Sequence, residues 1–278
     1  MPKEKDAAIL LIMRLTISLV LLLLSGVSQG IEVELSKKVL KLGETLEVKV
    51  RGVKESGNYI CWLNDSPYPL YWLNANTLRT FIGFGAKFKA KTCSLKIEEV
   101  QGTFLPKYEE SNREKRSIYV KRLADALRTE TPIQLWEEGF TWPTRGRISG
   151  RFGERRFDQN GTYLGIHQGI DIAGKTGTPI FCPNNGRVVL SGRFDLEGKT
   201  LVIDHGQGFV STYFHLSEIL VQEGESVKKD QVIARVGATG RVTASHLHFG
   251  LYIHGTPIDP LYWLPKDTAK NVSNYLPK

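Results

Sequence analysis

The 278-residue sequence has only three cysteines, too few for a disulfide-rich scaffold or a four-thiolate zinc site. It also lacks a concentration of charge, because the formal net charge of +8 is spread over both halves of the chain. A nucleic-acid-binding face would gather Lys and Arg in one region, so we expect no nucleic-acid partner. The length is that of one large domain or two ordinary ones.

Long apolar runs are absent except at the N-terminus. Arg14 is followed by apolar residues 15–24, and the small residues Ser28 and Gly30 stand at positions typical of a cleavage site. This pattern predicts a secretory signal peptide over residues 1–30, so that the rest of the chain is exported to the periplasm or cell envelope. An uncleaved anchor is the alternative, although the stretch is shorter than the roughly 20 residues of a membrane span. We expect no other membrane contact, and we expect a monomer.

Export permits a disulfide, since the compartment is oxidising. Cys61 and Cys93 both lie in strand-like segments, and the sequence slightly favours a bridge between them over two buried free thiols. Cys182 follows the apolar residues Ile180 and Phe181, and we expect it to be a small buried residue.

The periodicity of apolar residues predicts an all-β protein in several segments. Residues 31–106 alternate apolar and polar side chains, which indicates a small, Ig-like β-sandwich. Residues 107–138 are highly charged and carry some helical spacing, which indicates a partly helical linker. Residues 139–265 are rich in glycine with short apolar runs, as in an antiparallel β domain with long loops. We expect residues 266–278 to form a C-terminal tail.

Histidines of the glycine-rich segment are the candidates for chemistry. His246 and His248 are two apart, so on a strand they share a face and could share a metal ion. His167 and Asp171 are four apart, and Gly169 between them allows a bend that turns both side chains inward. Each pair alone is a weak signal, because paired surface histidines and turn aspartates are common.

Strand alternation places His215 with Tyr213 and predicts that both point out of the core, into a cleft or solvent. His205 and His254 precede glycines and are expected in turns. Together the candidate side chains fit a site with two histidines and one carboxylate for a catalytic zinc, plus two histidines for proton transfer.

Residues from about 140 to 263 closely resemble the lysostaphin/LytM family of zinc metallopeptidases, which cleave peptides in bacterial peptidoglycan. The stretches that carry the resemblance include residues 150–156 (GRFGERR), 165–173 (GIHQGIDIA), 213–216 (YFHL), 236–241 (VGATGR) and 245–249 (SHLHF). The first domain is similar, more weakly, to the β-sandwich that precedes this domain in many Gram-negative secreted members.

The resemblance implies a Zn²⁺ cofactor bound by His167, Asp171 and His248. It implies His246 and His215 as the catalytic pair. In the mechanism that we expect, His246 is the general base, and His215 together with Tyr213 stabilises the developing oxyanion. The expected function is a secreted endopeptidase that hydrolyses cross-links or stem peptides of peptidoglycan. The alternative is a LytM-like, non-catalytic activator of cell-wall amidases, against which the intact ligand set argues.

Three further points follow from the sequence. Residues 223–236 resemble the hairpin of lipoyl and biotinyl carrier domains, but no lysine stands at the expected tip. Five arginines between residues 145 and 156 could meet substrate carboxylates or lie on a solvated loop. Whether the first domain covers the cleft is left open.

Overall fold

A computed structural model describes residues 16–20, 31–37, 39–53, 57–89, 92–100, 118–137, 139–158 and 160–266. These residues form antiparallel sheets almost throughout, which confirms the all-β prediction. The strands before the helix are β1 (Thr16–Val20), β2 (Glu32–Leu35), β3 (Thr45–Arg51), β4 (Asn58–Leu63), β5 (Ser66–Pro69), β6 (Tyr71–Asn74), β7 (Thr77–Gly83) and β8 (Thr92–Val100).

Helix α1 (Ile118–Ala126) separates these strands from the second set. The second set is β9 (Ile148–Gly150), β10 (Arg155–Phe157), β11 (Tyr163–Ile166), β12 (Ile170–Ala173), β13 (Pro179–Phe181), β14 (Gly186–Phe194), β15 (Gly198–Gly206), β16 (Phe209–Leu216), β17 (Glu218–Ile219), β18 (Ser226–Val227), β19 (Val232–Arg235), β20 (His246–Ile253) and β21 (Thr256–Ile258). A short 3-10 helix, Pro260–Tyr262, follows.

The first half contains two four-stranded sheets, ordered β1-β8-β4-β5 and β2-β3-β7-β6. Strand β3 buries Leu46, Val48 and Val50 at every second position, as expected for a strand with one face on a core. These side chains share a single core with residues of the other sheet, such as Leu95. Two sheets around one core agree with the predicted β-sandwich, while its Ig-like character stays a prediction.

Strand β1 lies inside the segment predicted as a signal peptide. It pairs in parallel with β8, from Thr16 opposite Thr92 to Val20 opposite Lys96. The rest of residues 1–30 lies outside the described part of the chain, so the signal peptide stays a prediction. Among the described residues, no helix has the length and apolar character needed to cross a membrane.

The predicted Cys61–Cys93 disulfide is wrong, because both residues are buried free thiols, as is Cys182. The register of β4 and β8 places Cys61 opposite Ile97, four positions along the strand from Cys93. That offset is about 13 Å between Cα atoms, whereas a disulfide needs less than about 7 Å. Burial raises the pKa of Cys61 to about 12, which keeps this thiol protonated.

The second half is organised by one large sheet with the order β18-β14-β15-β16-β20-β12-β9, on which β21 also pairs with β20. Its central strands are buried on both faces. Consecutive residues of β15, Leu201 and Val202, point to opposite faces and belong to two different hydrophobic clusters. The second of these clusters includes Ala126, so α1 covers that face of the sheet. Strand β20 therefore lies between β16 and β12 in a sheet that is covered on both faces.

The segment predicted as a linker is packed where it is described. Helix α1 lies within it, which agrees with the partly helical prediction, and residues 107–117 lie outside the described residues. Trp136 is 8% exposed and packs in the main core of the second half. This segment is thus bound to the domain that follows it, and the predicted domain boundaries stay predictions.

The two halves of the chain share an aromatic contact. Phe81 of β7 packs at 5.1 Å from Phe209, 5.7 Å from Trp263 and 6.0 Å from Trp136, measured between ring centroids. Arg79 on the same strand donates to Gln207 of the second half at 2.7 Å. Strand β7 of the first half therefore contributes Phe81 to the main hydrophobic core of the second half.

Candidate active site

Two neighbouring strands bring together the predicted metal-binding residues. In the antiparallel pairing of β12 with β20, Asp171 stands directly opposite His248. His167 lies just before β12, and Gly169 separates it from Asp171. A Cβ at Gly169 would lie 2.4 Å from the Phe249 carbonyl oxygen and 2.9 Å from His248 Nε2. Glycine is needed there because the turn passes so close to the histidine ring.

Three donor atoms meet at this point. His167 Nε2 and His248 Nδ1 each lie 3.0 Å from Asp171 Oδ1, and the two nitrogens are 2.9 Å apart. All three residues are nearly buried, with 7–8% of their surfaces exposed. The structure thus groups the three residues that the resemblance implies as ligands.

This donor set fits a zinc ion. His167 Nδ1 lies 2.8 Å from the Arg151 carbonyl oxygen, which can only accept, so a neutral His167 presents a lone pair at Nε2. Two imidazoles and one carboxylate are a common catalytic zinc set, and donors around a tetrahedral zinc lie about 3.4 Å apart. Shifts of a few tenths of an ångström would therefore accommodate the ion.

The carboxyl group of Asp171 is ionised in this setting. Burial by itself would raise its pKa, but the close contacts with His167 and His248 outweigh burial and hold the pKa far below its usual range. Asp171 therefore carries a negative charge toward the two imidazoles across the neutral pH range.

The two remaining histidines lie beside this group. His246 Nε2 is 3.7 Å from Asp171 Oδ1, and its Nδ1 donates to the Ala244 carbonyl oxygen at 2.8 Å. His215 Nδ1 donates to the Thr239 carbonyl oxygen at 3.0 Å, and the His215 and His246 ring centroids are 4.9 Å apart. Burial, the largest effect, lowers the pKa of His215 to about 4. In each ring Nδ1 donates to a backbone carbonyl, so the neutral form of either ring offers Nε2 as a proton acceptor.

These side chains line an open cleft with a volume of ≈ 680 Å³. All the residues that line it lie in the second half, between Arg156 and His248. Its walls include Phe157 and Leu164 from the β10–β11 hairpin, and Arg241. No described residue of the first half lines the cleft.

The orientation predicted for Tyr213 is wrong. Its side chain is fully buried in the main core, and its hydroxyl lies 3.0 Å from Ser211 Oγ. Tyr213 is therefore not placed to assist at an oxyanion. The His215 side chain does not point into the core face that holds Tyr213, because the φ of 65° at His215 is left-handed. This backbone conformation breaks the strand alternation at the end of β16.

The other two histidines lie outside the cleft. His254 is in the turn after β20, as predicted, and its Nδ1 lies 2.6 Å from Glu130 Oε1. His205 instead belongs to β15 and is fully buried. It donates from Nδ1 to the Asn185 carbonyl oxygen at 2.7 Å and accepts from Ser211 Oγ at 2.8 Å.

One residue at the site has no distinctive sequence signal. Arg156, one of five neighbouring arginines, places Nη2 2.6 Å from Asp171 Oδ2. Arg156 lies on β10 and Asp171 on β12, which belong to different sheets, so spacing along the chain does not reveal their contact.

Comparison with known proteins identifies the second half. Residues 165–260 match Peptidase family M23. Over 118 residues the chain is 37% identical to the peptidoglycan DD-endopeptidase ShyA of Vibrio cholerae, covering 42% of this chain and 27% of that protein. Over 139 residues it is 36% identical to the murein hydrolase activator NlpD of Escherichia coli, covering 50% of this chain and 33% of that protein.

The crystal structure of a protein described as an M23 peptidase, from Pseudomonas aeruginosa, superposes on a larger share of this chain than these two relatives match. The TM-score is 0.59 with 28% identity, over 80% of this chain and 93% of the other. The two curated relatives, in contrast, are matched over less than two thirds of their own lengths. The matched family model, the fold and the grouped His/Asp/His donors together show a peptidase family M23 domain over residues 165–260, which is consistent with the resemblance to the LytM/lysostaphin family.

Proposed function

We propose that this protein is an exported, zinc-dependent endopeptidase that hydrolyses cross-links or stem peptides of bacterial peptidoglycan. The observation that carries the proposal is the single cleft that holds the donors His167, Asp171 and His248 together with His215 and His246. An activator without catalysis has no need of three converging donors and two further imidazoles. The matched relatives include one protein named as an endopeptidase and one named as an activator, so the choice between these two roles rests on the residues of the cleft.

The side chains around the cleft can divide the work of peptide hydrolysis. A zinc ion held by His167, Asp171 and His248 would supply Lewis-acid chemistry. His246 accepts the proton of the attacking water at Nε2 and later returns it to the leaving amine. Its Nδ1 bond to Ala244 fixes the ring in the state that can accept this proton.

His215 has a role different from the one first expected. Its Nδ1 already donates to the Thr239 carbonyl oxygen, so the neutral ring has no N–H left for an oxyanion. Its Nε2 instead accepts a hydrogen bond, and we assign it to orienting the attacking water beside His246. The ring is held there by Thr239 and by the left-handed backbone at residue 215.

Digestion of purified peptidoglycan tests the proposal. The wild type should release fragments with newly cut peptides, identified by mass spectrometry, without any added hydrolase. His246→Gln should retain one bound zinc per chain and lose about 10²- to 10⁴-fold in rate, as expected for a missing general base. His254→Gln is the control, because that histidine lies outside the cleft and should leave cleavage intact.

The alternative role gives the opposite pattern. If the protein is an activator, the wild type releases no fragments alone but accelerates release by an added cell-wall amidase, and His246→Gln does so equally well. A wild type that binds no zinc would also refute the proposal.

Export is a separate part of the proposal and has its own test. The protein recovered from the periplasm of a Gram-negative host should have the mass of a chain beginning at Ile31. A full-length mass in the cytoplasm would contradict export.

A further inference from the structure

The two carboxylate oxygens of Asp171 have different partners. Oδ1 faces His167 Nε2 and His248 Nδ1, at 3.0 Å from each. Oδ2 is bound by Arg156, whose Nη2 lies at 2.6 Å. The carboxylate thus presents one oxygen to the two imidazoles while the guanidinium holds the other.

The neighbouring strand keeps space for this ion pair. Gly150 of β9 stands opposite Asp171 in the sheet. A Cβ at Gly150 would lie 2.5 Å from both Arg156 Nη2 and Asp171 Oδ2, directly beside their contact and too close to either atom. Any larger residue would push the guanidinium away from the carboxylate.

Arg156 is specific among the adjacent charges. The Asp171 side chain is 11% exposed, whereas the second carboxylate near Arg156, Glu154, is 46% exposed and 3.9 Å away. The preceding Arg155 lies over the rings of Phe157 and Tyr163, at 5.5 and 5.2 Å from their centroids. Only one of the two neighbouring arginines therefore reaches the donor group.

We propose that Arg156 is a positioning residue that restricts Asp171 to one-oxygen ligation of the metal. A catalytic zinc keeps three protein ligands and one open position, and a carboxylate free to turn could fill that position with its second oxygen. Partners of ligating carboxylates in other metal sites orient them in this way. The proposal rests on the proposed zinc site and concerns a residue outside the ligand set.

The charge of Arg156 acts in the opposite direction, because a guanidinium near the site repels a cation. A neutral substitution would therefore mix two effects of opposite sign. Arg156→Lys keeps the charge and removes the planar fork that fixes the carboxylate. Arg155→Lys makes the same change one residue earlier and is the matched control.

The experiment measures metal binding by the whole protein. Zinc affinity is obtained by competition with a chelator, and the coordination of cobalt(II) in place of zinc is read from its visible absorption. Arg156→Lys should weaken zinc binding at least tenfold, the lower end of the effect of outer-sphere substitutions. Its cobalt(II) form should absorb more weakly than the wild type at equal occupancy, because a second carboxylate oxygen raises the coordination number. Gly150→Ala, which leaves Arg156 in the chain, should change the spectrum in the same direction.

Each result has a distinct meaning. Wild-type affinity and spectrum in Arg156→Lys would overturn the inference while leaving the zinc site intact. Equal losses in Arg155→Lys would also overturn it, because the effect would then not depend on the contact with Asp171. Failure of the wild type to bind zinc would instead overturn the proposed function itself.

Discussion

Acid should destabilise this protein in part through His205, which lies outside the cleft. The ring is fully buried in β15, and burial, the largest effect, lowers its pKa from 6.5 to about 4. Its hydrogen bonds also require the neutral form, since Nδ1 donates to Asn185 and Nε2 accepts from Ser211. A proton on Nε2 would turn that acceptor into a second donor inside the core.

The sign and size follow from these two pKa values. Well above pH 6.5 the ring is neutral in both states, so its contribution to the free energy of unfolding is constant. Below that pH the unfolded chain binds a proton that the folded chain refuses, and stability falls until about pH 4. Between about pH 8 and pH 4.5 the loss from this one group is about 2.5 kcal/mol.

Urea unfolding of the wild type and of His205→Gln at several pH values would measure this loss. Both proteins are studied with a chelator present, because metal binding by histidines itself depends on pH. The other five histidines are present in both proteins, so their contributions cancel in the difference. Between pH 7.5 and 8.5 the difference should be constant, and toward pH 4.5 it should shrink or reverse by about 2.5 kcal/mol. Parallel curves over the whole range would refute the reasoning.

Three further predictions concern residues whose placement differs from, or extends, the sequence-based expectation. Tyr213→Phe should keep zinc binding and cleavage and lose only about 1 kcal/mol with its bond to Ser211; a hundredfold loss of rate would restore a catalytic role. Denatured, unreduced protein should titrate with three thiols per chain, and a single thiol would mean that Cys61 and Cys93 are bridged. Phe81→Ala should cost about 3–5 kcal/mol in thermal or urea unfolding, because the ring packs among aromatic residues of the second half; a cost below about 1 kcal/mol would mean that the two halves do not share a core.

The grouping of His167, Asp171 and His248 could be predicted from the sequence, but mainly through whole-motif resemblance. The spacing of His167 and Asp171 only shows that a bend could bring them together. Their meeting with His248 depends on the antiparallel pairing of β12 and β20, which joins positions 77 residues apart. Local periodicity cannot specify such a pairing, whereas an ordered series of family motifs implies it.

Strand alternation misplaced Tyr213 for an identifiable reason. β16 is a central strand, and seven of its eight residues are buried. A pattern of apolar and polar residues identifies the buried face only when the other face meets solvent. Here Tyr213 packs in one core and Val210 in the cluster on the opposite face. The left-handed φ of His215, which the sequence does not reveal, then turns that side chain into the cleft.

The pairing of Asp171 with His248 also makes the site sensitive to strand register. Successive side chains on a strand point to opposite faces, so a slip of one residue between β12 and β20 would place Leu247 or Phe249 opposite Asp171. The carboxylate and the imidazole would then lie on opposite sides of the sheet. The three donors can converge in a single alignment of the two strands, and their convergence is therefore a chemical readout of correct folding.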